Sequence, residues 1–245
     1  MSELFSIQLQ NRQQQGRDGV WLDLPTTTEQ VQAALRQIGI SSDNPQGLFI
    51  SGYFAEEEKR FAIPYNMVLA SNVDELNFLA SRLETLSTGE RAELNAALQA
   101  PQSELFSIGR ITDFPENVDY YVHLPDVHGP AQLGDYYLNR SGMVDMPEEW
   151  KGGIDTAQFG RYVAQQEQGV FTEYGYFVKS GDAWQKVHEG QPVPEEYRVL
   201  SFPVPEVMRD AANIPPPVQP ETEPQKVIPI ILNGKDSAER MKEIT

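Results

Sequence analysis

Apolar side chains alternate with polar ones in short stretches near the N-terminus, which predicts β-strands. They recur at every second position in residues 5–9 and again in residues 20–24. This period of two is typical of strands that bury one face. Residues 48–54 and 61–63 are rich in aromatic and other apolar side chains and are predicted as further strands.

A helix is predicted between the second and third of these strands. Thr26 and Glu29 have the spacing of a capping box, in which each side chain accepts a hydrogen bond from the other residue's backbone amide. Apolar residues then follow at helical spacing, and Gly39 is a suitable stop. Residues 1–68 are therefore predicted to form a small α+β domain.

Leucines at helical spacing dominate the next thirty residues, which predicts two helices. Asn72 and Glu75 form one capping pair, and Ser87 and Glu90 form another. Two helices joined by a short loop pack as an antiparallel pair. Residues 69–102 are therefore predicted to form a central helical domain.

Residues 103–202 mix strand and helix patterns and are predicted to form a third domain, of α+β type. A helix is expected after Asp155, which has capping spacing to Gln158, and another over Ala131–Asn139, stopped by Gly142. The predicted strands are Leu105–Thr112, Val118–His123 and Val170–Lys179, and a hairpin is predicted from Ala183–His188 and Tyr197–Phe202.

The end of the chain has a different composition. Residues 203–225 contain seven prolines, so residues 203–226 are predicted to be an extended linker. Residues 227–245 form a short tail with a helical pattern and no stop signal, and we expect a further domain to begin there. The predicted fold class is α+β, with three small domains and a proline-rich C-terminal extension.

The charge balance is strongly acidic. The chain has 36 acidic and 19 basic residues, a formal net charge of −17. Such a charge argues against nucleic acid or an anionic membrane as a direct partner and favours a basic partner, a metal or simple solubility. Residues 111–139 carry five carboxylates and no lysine or arginine, interleaved with aromatic residues. Disordered acidic tails lack that aromatic content, so an ordered acidic surface is expected.

Several classes of protein are excluded by what the sequence lacks. There is no cysteine, which excludes disulfides and thiolate chemistry. The N-terminus does not resemble a signal peptide, and no apolar run approaches the roughly 18 residues of a membrane span. A cytoplasmic location is therefore expected, with no membrane contact.

Motifs for catalysis or cofactor binding are missing. Neither a P-loop nor a G-x-S-x-G sequence occurs. Metal-type ligands cluster only at His123, Asp126 and His128, in a spacing that fits no standard zinc site. We therefore predict no enzyme activity, no cofactor and no metal. An enzyme built on this loop remains a third-ranked alternative.

The candidate partner-binding residues are the carboxylates of the third predicted domain. Some of them have a local structural role as well, since acids in the first turn of a helix stabilise its N-terminus. The full candidate set is Asp113, Glu116, Asp119, Asp126, Asp135, Asp145, Glu148, Glu149, Asp155, Glu167 and Glu173.

Parts of the same region resemble a known family. The segments LGDYYL at 133–138, GMVDMPE at 142–148 and FGRY at 159–162, together with Ile154-Asp155 and Gly175-Tyr176, are similar to the C-terminal signature of antirestriction proteins of the ArdA type. The early segment GVWLDLP at 19–25 resembles a strand of the same family. The resemblance covers about residues 1–180.

The resemblance implies an elongated three-domain protein that forms a homodimer. Members of the family are DNA mimics, carried by mobile genetic elements such as conjugative transposons. They occupy the DNA-binding groove of type I restriction–modification enzymes and inhibit them. The alternative is an acidic interaction module of a mobile element that binds another basic DNA-handling protein, for example a relaxase.

Overall fold

The computed structural model describes residues 4–14, 18–56, 60–101 and 103–202. Helices and strands both occur along this part of the chain, which confirms the α+β class. The predicted linker at 203–226 and the tail at 227–245 lie outside the described residues. None of the helices in the described part of the chain is both long and apolar enough to cross a membrane.

The N-terminal sheet has three antiparallel strands in the order β2-β1-β3. The strands are β1 (Phe5–Asn11), β2 (Val20–Leu24) and β3 (Leu48–Phe54), as predicted. The strand predicted at 61–63 is absent. Phe61 and Ile63 are buried alternately, as in a strand, but the Ala62 amide donates to the Asn95 side chain at 2.8 Å instead of to a neighbouring strand.

Helix α1 (Thr28–Gln37) covers this sheet and begins one residue later than predicted. Its N-cap is Thr27, which forms a capping box with Gln30 in place of the expected pair one position earlier. Gly39 adopts a φ of 68°, the left-handed conformation that suits a helix stop.

The central helices follow the predicted pattern closely. After the short helix α2 (Tyr65–Leu69), helices α3 (Val73–Glu84) and α4 (Thr88–Gln99) both begin with the predicted capping boxes. Their leucines are buried in the main hydrophobic core.

The following region contains a second three-stranded sheet, in the order β4-β6-β5. Its helices are α5 (Ile108–Thr112), α6 (Pro130–Asp135), α7 (Glu148–Lys151) and α8 (Thr156–Glu167), and its strands are β4 (Tyr121–Leu124), β5 (Val170–Thr172) and β6 (Gly175–Lys179). A π-helical turn, Tyr136–Arg140, extends α6. The helices predicted at 131–139 and after Asp155 are thus confirmed.

Two strand predictions in this region are wrong. The strand expected at Leu105–Thr112 is occupied by α5, because Ser107 caps the Arg110 amide and starts a helix. The strand expected from Val118 begins only at Tyr121, after a 3₁₀ turn at Val118–Tyr120.

The predicted hairpin over 183–202 is also absent. This segment, called here the C-terminal strap, has no strands. Asn117 instead accepts from the Gln185 amide at 2.7 Å and donates to its carbonyl at 3.0 Å. Asp74 accepts from the amides of Val199 and Leu200, each at 2.7 Å. Side chains from distant helices and turns take the place of the partner strand.

Two hydrophobic cores meet at the second sheet. The larger one includes buried residues from Leu4 to Val199 and therefore draws on all three predicted domains. The smaller one lies against the opposite face of β6, because Phe177 belongs to the larger core and Tyr176 to the smaller. The division at residues 68 and 102 stays a prediction.

Candidate functional site

Helices α6 and α8 carry two of the candidate acids, Asp135 and Glu167, and a third, Asp155, caps α8. A Cβ atom added to Gly134 would lie 1.9 Å from the Thr156 carbonyl oxygen, and one added to Gly160 would lie 1.8 Å from that of Pro130. The two helix backbones are therefore in direct contact, which only glycine permits at these positions. Both glycines belong to segments singled out in the sequence, LGDYYL and FGRY.

Tyrosines fix the end of α8. The hydroxyls of Tyr137 and Tyr176 both donate to Glu167, the latter at 2.9 Å. Burial, and the carboxylate of Glu167 beside them, raise the pKa of both phenols well above the usual range. Glu167 is half-buried. Its carboxylate therefore helps to hold the small core together and is only partly available to a partner.

Four candidate acids are exposed and make no hydrogen bond or ion pair with any side chain of the described ranges. Asp119 lies on the 3₁₀ turn before β4, and Asp126 lies just after that strand. Glu149 lies on the short helix α7, and Asp145 lies just before that helix begins. No ion pair with a described side chain offsets the formal charge of these four surface carboxylates, and a basic partner could reach them.

Three further acids are in ion pairs. Glu116 pairs with Arg82, Asp135 pairs with Arg140 at 2.9 Å, and Glu148 pairs with Lys151 at 3.0 Å. The carboxyl of Glu148 is mostly exposed, whereas Glu116 and Asp135 are half-buried. An ion pair between exposed side chains is weak, so a strongly basic partner could compete for Asp135 and Glu148 more readily than for Glu116, whose pair with Arg82 is part-buried.

Two more exposed acids have local roles. Asp155 caps α8 by accepting from the Gln158 amide at 2.9 Å, as the sequence predicted. Glu173 lies at the β5–β6 turn and accepts from the Gln99 side chain. Neither role neutralises the carboxylate, so both can still contribute to an acidic surface.

Asp113 has a different role from the one expected. Its side chain is completely buried and accepts from the backbone amides of Val187, His188 and Glu189, at 3.3, 2.6 and 3.2 Å. A carboxylate enclosed in this way cannot contact a partner. We therefore remove Asp113 from the candidate surface and assign it to anchoring the C-terminal strap.

Glu93 on α4 lies near the candidate acid Asp119 and is not among the acids predicted from the sequence. One of its carboxylate oxygens is buried with no hydrogen-bond partner among the described residues. Burial raises the pKa of Glu93 to about 7, and the charges of Glu90 and Asp119 act in the same direction. The spacing of Glu90 and Glu93 places both acids on one helix face and can be recognised in the sequence. The burial of Glu93 cannot be recognised there.

The raised pKa of Glu93 predicts a pH-dependent stability. The folded chain retains this proton up to about pH 7, whereas the unfolded chain releases it near the ordinary glutamate pKa of 4.5. The folded state is therefore favoured at low pH, and this contribution is lost as the pH rises through about 7. Glu93→Gln should raise the midpoint of thermal unfolding at pH 8 and leave it nearly unchanged at about pH 4, below the pKa of the unfolded chain.

The exposed Glu149→Gln is the matched control for this comparison, because it removes the same charge from a solvated position. Its unfolding midpoint should differ from that of the wild type by a similar, small amount at both pH values. Equal midpoints for wild type and Glu93→Gln at pH 8 would contradict the assignment.

His123, one of the three residues of the His123/Asp126/His128 cluster, has a structural role. The His123 ring nitrogen Nε2 donates to the Tyr174 carbonyl oxygen at 2.6 Å, which ties β4 to the β5–β6 turn. Because that nitrogen carries the proton, it is not available to a metal. Within the described ranges, no group of three or more metal-ligating side chains lies close enough together to hold an ion.

Comparison with known proteins agrees with the sequence motifs. The model of the family described as Antirestriction protein (ArdA) matches residues 15–178, about two-thirds of the chain. The match contains β2, all eight helices described above and nearly all of the second sheet. No match was found among curated proteins.

Proposed function

Because the chain belongs to the ArdA antirestriction family, we propose that it inhibits a type I restriction–modification enzyme by occupying the DNA-binding groove of that enzyme. The observation that carries the proposal is the set of exposed, unpaired carboxylates Asp119, Asp126, Asp145 and Glu149. Asp119 lies on a 3₁₀ turn, Asp126 follows β4, Asp145 precedes α7 and Glu149 lies on α7. A groove built to bind phosphates would attract them.

The amount of charge fits this role. Residues 111–178 contain eleven acids and three bases, and ten of those acids remain once Asp113 is removed. In the proposed homodimer, the formal net charge is 2 × (−17) = −34. At one charge per roughly 1.7 Å of duplex, that number corresponds to about 58 Å of DNA. The proposed partner surface is Glu116, Asp119, Asp126, Asp135, Asp145, Glu148, Glu149, Asp155, Glu167 and Glu173.

A second candidate function rests on the same acids. A different basic DNA-handling protein of a mobile element, such as a relaxase, would also be attracted by this surface. Competition separates the two possibilities, because a DNA mimic and duplex DNA must exclude one another from the restriction enzyme.

The dependence of binding on salt tests the proposal. Each of the four unpaired carboxylates is proposed to take the place of one phosphate. The logarithm of the affinity, plotted against the logarithm of the salt concentration, should then fall with a slope of about 3.6. That slope corresponds to about a hundredfold loss of affinity between roughly 50 and 200 mM salt. Titration of a purified type I enzyme by fluorescence anisotropy measures it.

A labelled duplex containing the enzyme's recognition site provides the second measurement. The duplex should be displaced by this protein in a competitive manner, and an excess of unlabelled duplex should displace the protein. Binding that is independent of salt, or simultaneous binding of protein and duplex, would contradict DNA mimicry.

A further inference from the structure

Two large aromatic side chains are exposed on the outer face of the N-terminal sheet. Trp21 on β2 is 50% exposed and Phe54 on β3 is 58% exposed. Their ring centroids are 6.5 Å apart with an interplanar angle of 74°, an edge-to-face contact. We call these two side chains the aromatic platform.

The strand pattern places the platform on the solvent side. On β2, Leu22 and Leu24 are buried, whereas Trp21 and Asp23 are exposed. A large aromatic residue therefore occupies a position at which an antiparallel sheet usually carries a polar side chain. An exposed aromatic pair with polar neighbours is typical of an interaction site.

A glycine beneath the indole ring allows it to lie across the sheet. Gly52 on β3 is buried, and a Cβ atom added there would lie 3.0 Å from the tip of the Trp21 ring. The indole thus reaches over β1 and its tip covers the Gly52 backbone. Part of the indole ring is in contact with the sheet, and the rest of the ring is exposed to solvent.

The described part of the chain has no cation of its own on the platform. Its cation–π contacts join Arg12 to Phe49, Arg91 to Phe61, and Arg110 to both Phe106 and Trp184. In particular, the exposed ring of Phe106 is covered by Arg110 at 4.5 Å. Trp21 and Phe54 have no such neighbour among the described arginines, so their ring faces can accept one from a partner.

A carboxylate beside the platform adds negative charge. Asp23 is exposed on the same face, two residues from Trp21, which places it about 6.7 Å further along the strand. One of its oxygens accepts from the Ser6 hydroxyl at 2.8 Å, and the other makes no hydrogen bond or ion pair with a described side chain. A free carboxylate oxygen next to an aromatic face matches a guanidinium group, which is planar, cationic and rich in N–H donors.

We propose that the aromatic platform, with Asp23, binds an arginine side chain of the enzyme's DNA-binding groove. The guanidinium would stack on the Trp21 ring and donate to the Asp23 carboxylate. This inference rests on the proposed function, since a DNA-binding groove is the source of the arginine. It adds a contact that differs in kind from the phosphate-like carboxylates, because stacking on an aromatic face is screened less by salt than an exposed charge pair.

Conservative variants test the platform. Trp21→Leu and Phe54→Leu keep an apolar cover over the sheet but remove the aromatic face. Trp21→Leu should weaken binding to the purified type I enzyme about tenfold, by the same factor at low and high salt. Phe106→Leu is the matched control, because its exposed ring already has Arg110 over it, and its affinity should equal that of the wild type.

Fluorinated tryptophan tests whether the occupant is a cation. Fluorine withdraws electron density from the ring face, which weakens the cation–π attraction and leaves the apolar area of the ring nearly unchanged. Protein labelled with fluorotryptophan should bind more weakly than unlabelled protein. The same labelling should have no effect in the Trp21→Leu variant, which still contains Trp150 and Trp184.

Each outcome of these measurements decides a specific point. If wild-type protein binds the enzyme and competes with duplex while Trp21→Leu, Phe54→Leu and Asp23→Asn bind equally well, the platform inference is overturned and the DNA-mimic proposal stands. Weaker binding by Trp21→Leu without a fluorine effect would assign an apolar occupant and overturn the arginine. If wild-type protein does not bind the enzyme, both proposals fail. Circular dichroism of each variant confirms that it is folded.

Discussion

Neutralising the four unpaired carboxylates should weaken binding to a type I restriction–modification enzyme about a hundredfold at low salt. The variant carries Asp119→Asn, Asp126→Asn, Asp145→Asn and Glu149→Gln. All four side chains are exposed, so the substitutions should leave the unfolding free energy nearly unchanged. The loss follows because each carboxylate is proposed to take the place of one phosphate in the groove. The salt slope should also fall, by about 3.6.

A variant with the same net charge separates local from general electrostatics. Asp18, Asp43, Glu195 and Glu196 are also exposed but lie outside the proposed surface. Their replacement by Asn or Gln removes the same four charges and should lower the affinity several times less. An equal loss for both variants would mean that net charge alone, and no particular surface, governs binding.

Asp113→Ala should destabilise the protein by about 3 kcal/mol, the largest effect that we expect from a single acidic residue. The carboxylate is fully buried and accepts from three backbone amides of the C-terminal strap. Its removal leaves those buried donors without partners, and the cost of leaving a hydrogen-bonding group unsatisfied is about 1–3 kcal/mol. Urea denaturation followed by circular dichroism measures the change.

Asp113→Asn should cost less than the alanine variant, because an amide oxygen can still accept one of the hydrogen bonds. Asp126→Asn is the surface control and should change the free energy of unfolding by no more than about 0.5 kcal/mol. A similar small change for Asp113→Ala would show that the strap does not depend on this carboxylate. At temperatures where Asp113→Ala is folded, its enzyme binding should be close to that of the wild type.

The elements that the sequence predicted well are those with local signals. Strands β1 and β2 follow from a period of two, and β3 follows from a run of aromatic and other apolar residues. Helices α3, α4 and α8 follow from cap residues that bond amides three positions away. These interactions involve neighbours along the chain, so their geometry depends little on the rest of the fold. The family-like motifs are likewise contiguous in sequence, and the family match at 15–178 confirms them.

The predictions that failed depended on distant residues. A hairpin was expected at 183–202 because its composition resembles that of strands, but Asn117 and Asp74 satisfy its amides from elsewhere in the chain. Residues 61–63 have the alternation of a strand, but the side chain of Asn95 bonds their backbone. No local pattern reveals that a side chain many residues away will replace a neighbouring strand.

The sequence alone determined the α+β class, the cap positions of α3, α4 and α8, the excess of negative charge and the family. Only the tertiary structure decided how each carboxylate is used. Asp113, Glu167 and Asp126 are the same kind of acid in the sequence, but one is buried beneath the strap, one bonds two tyrosines and one is exposed. The physical reason is that a carboxylate can contact a partner only where its side chain is exposed to solvent. Solvent exposure is set by packing between distant segments, whereas a charge count is a property of the chain.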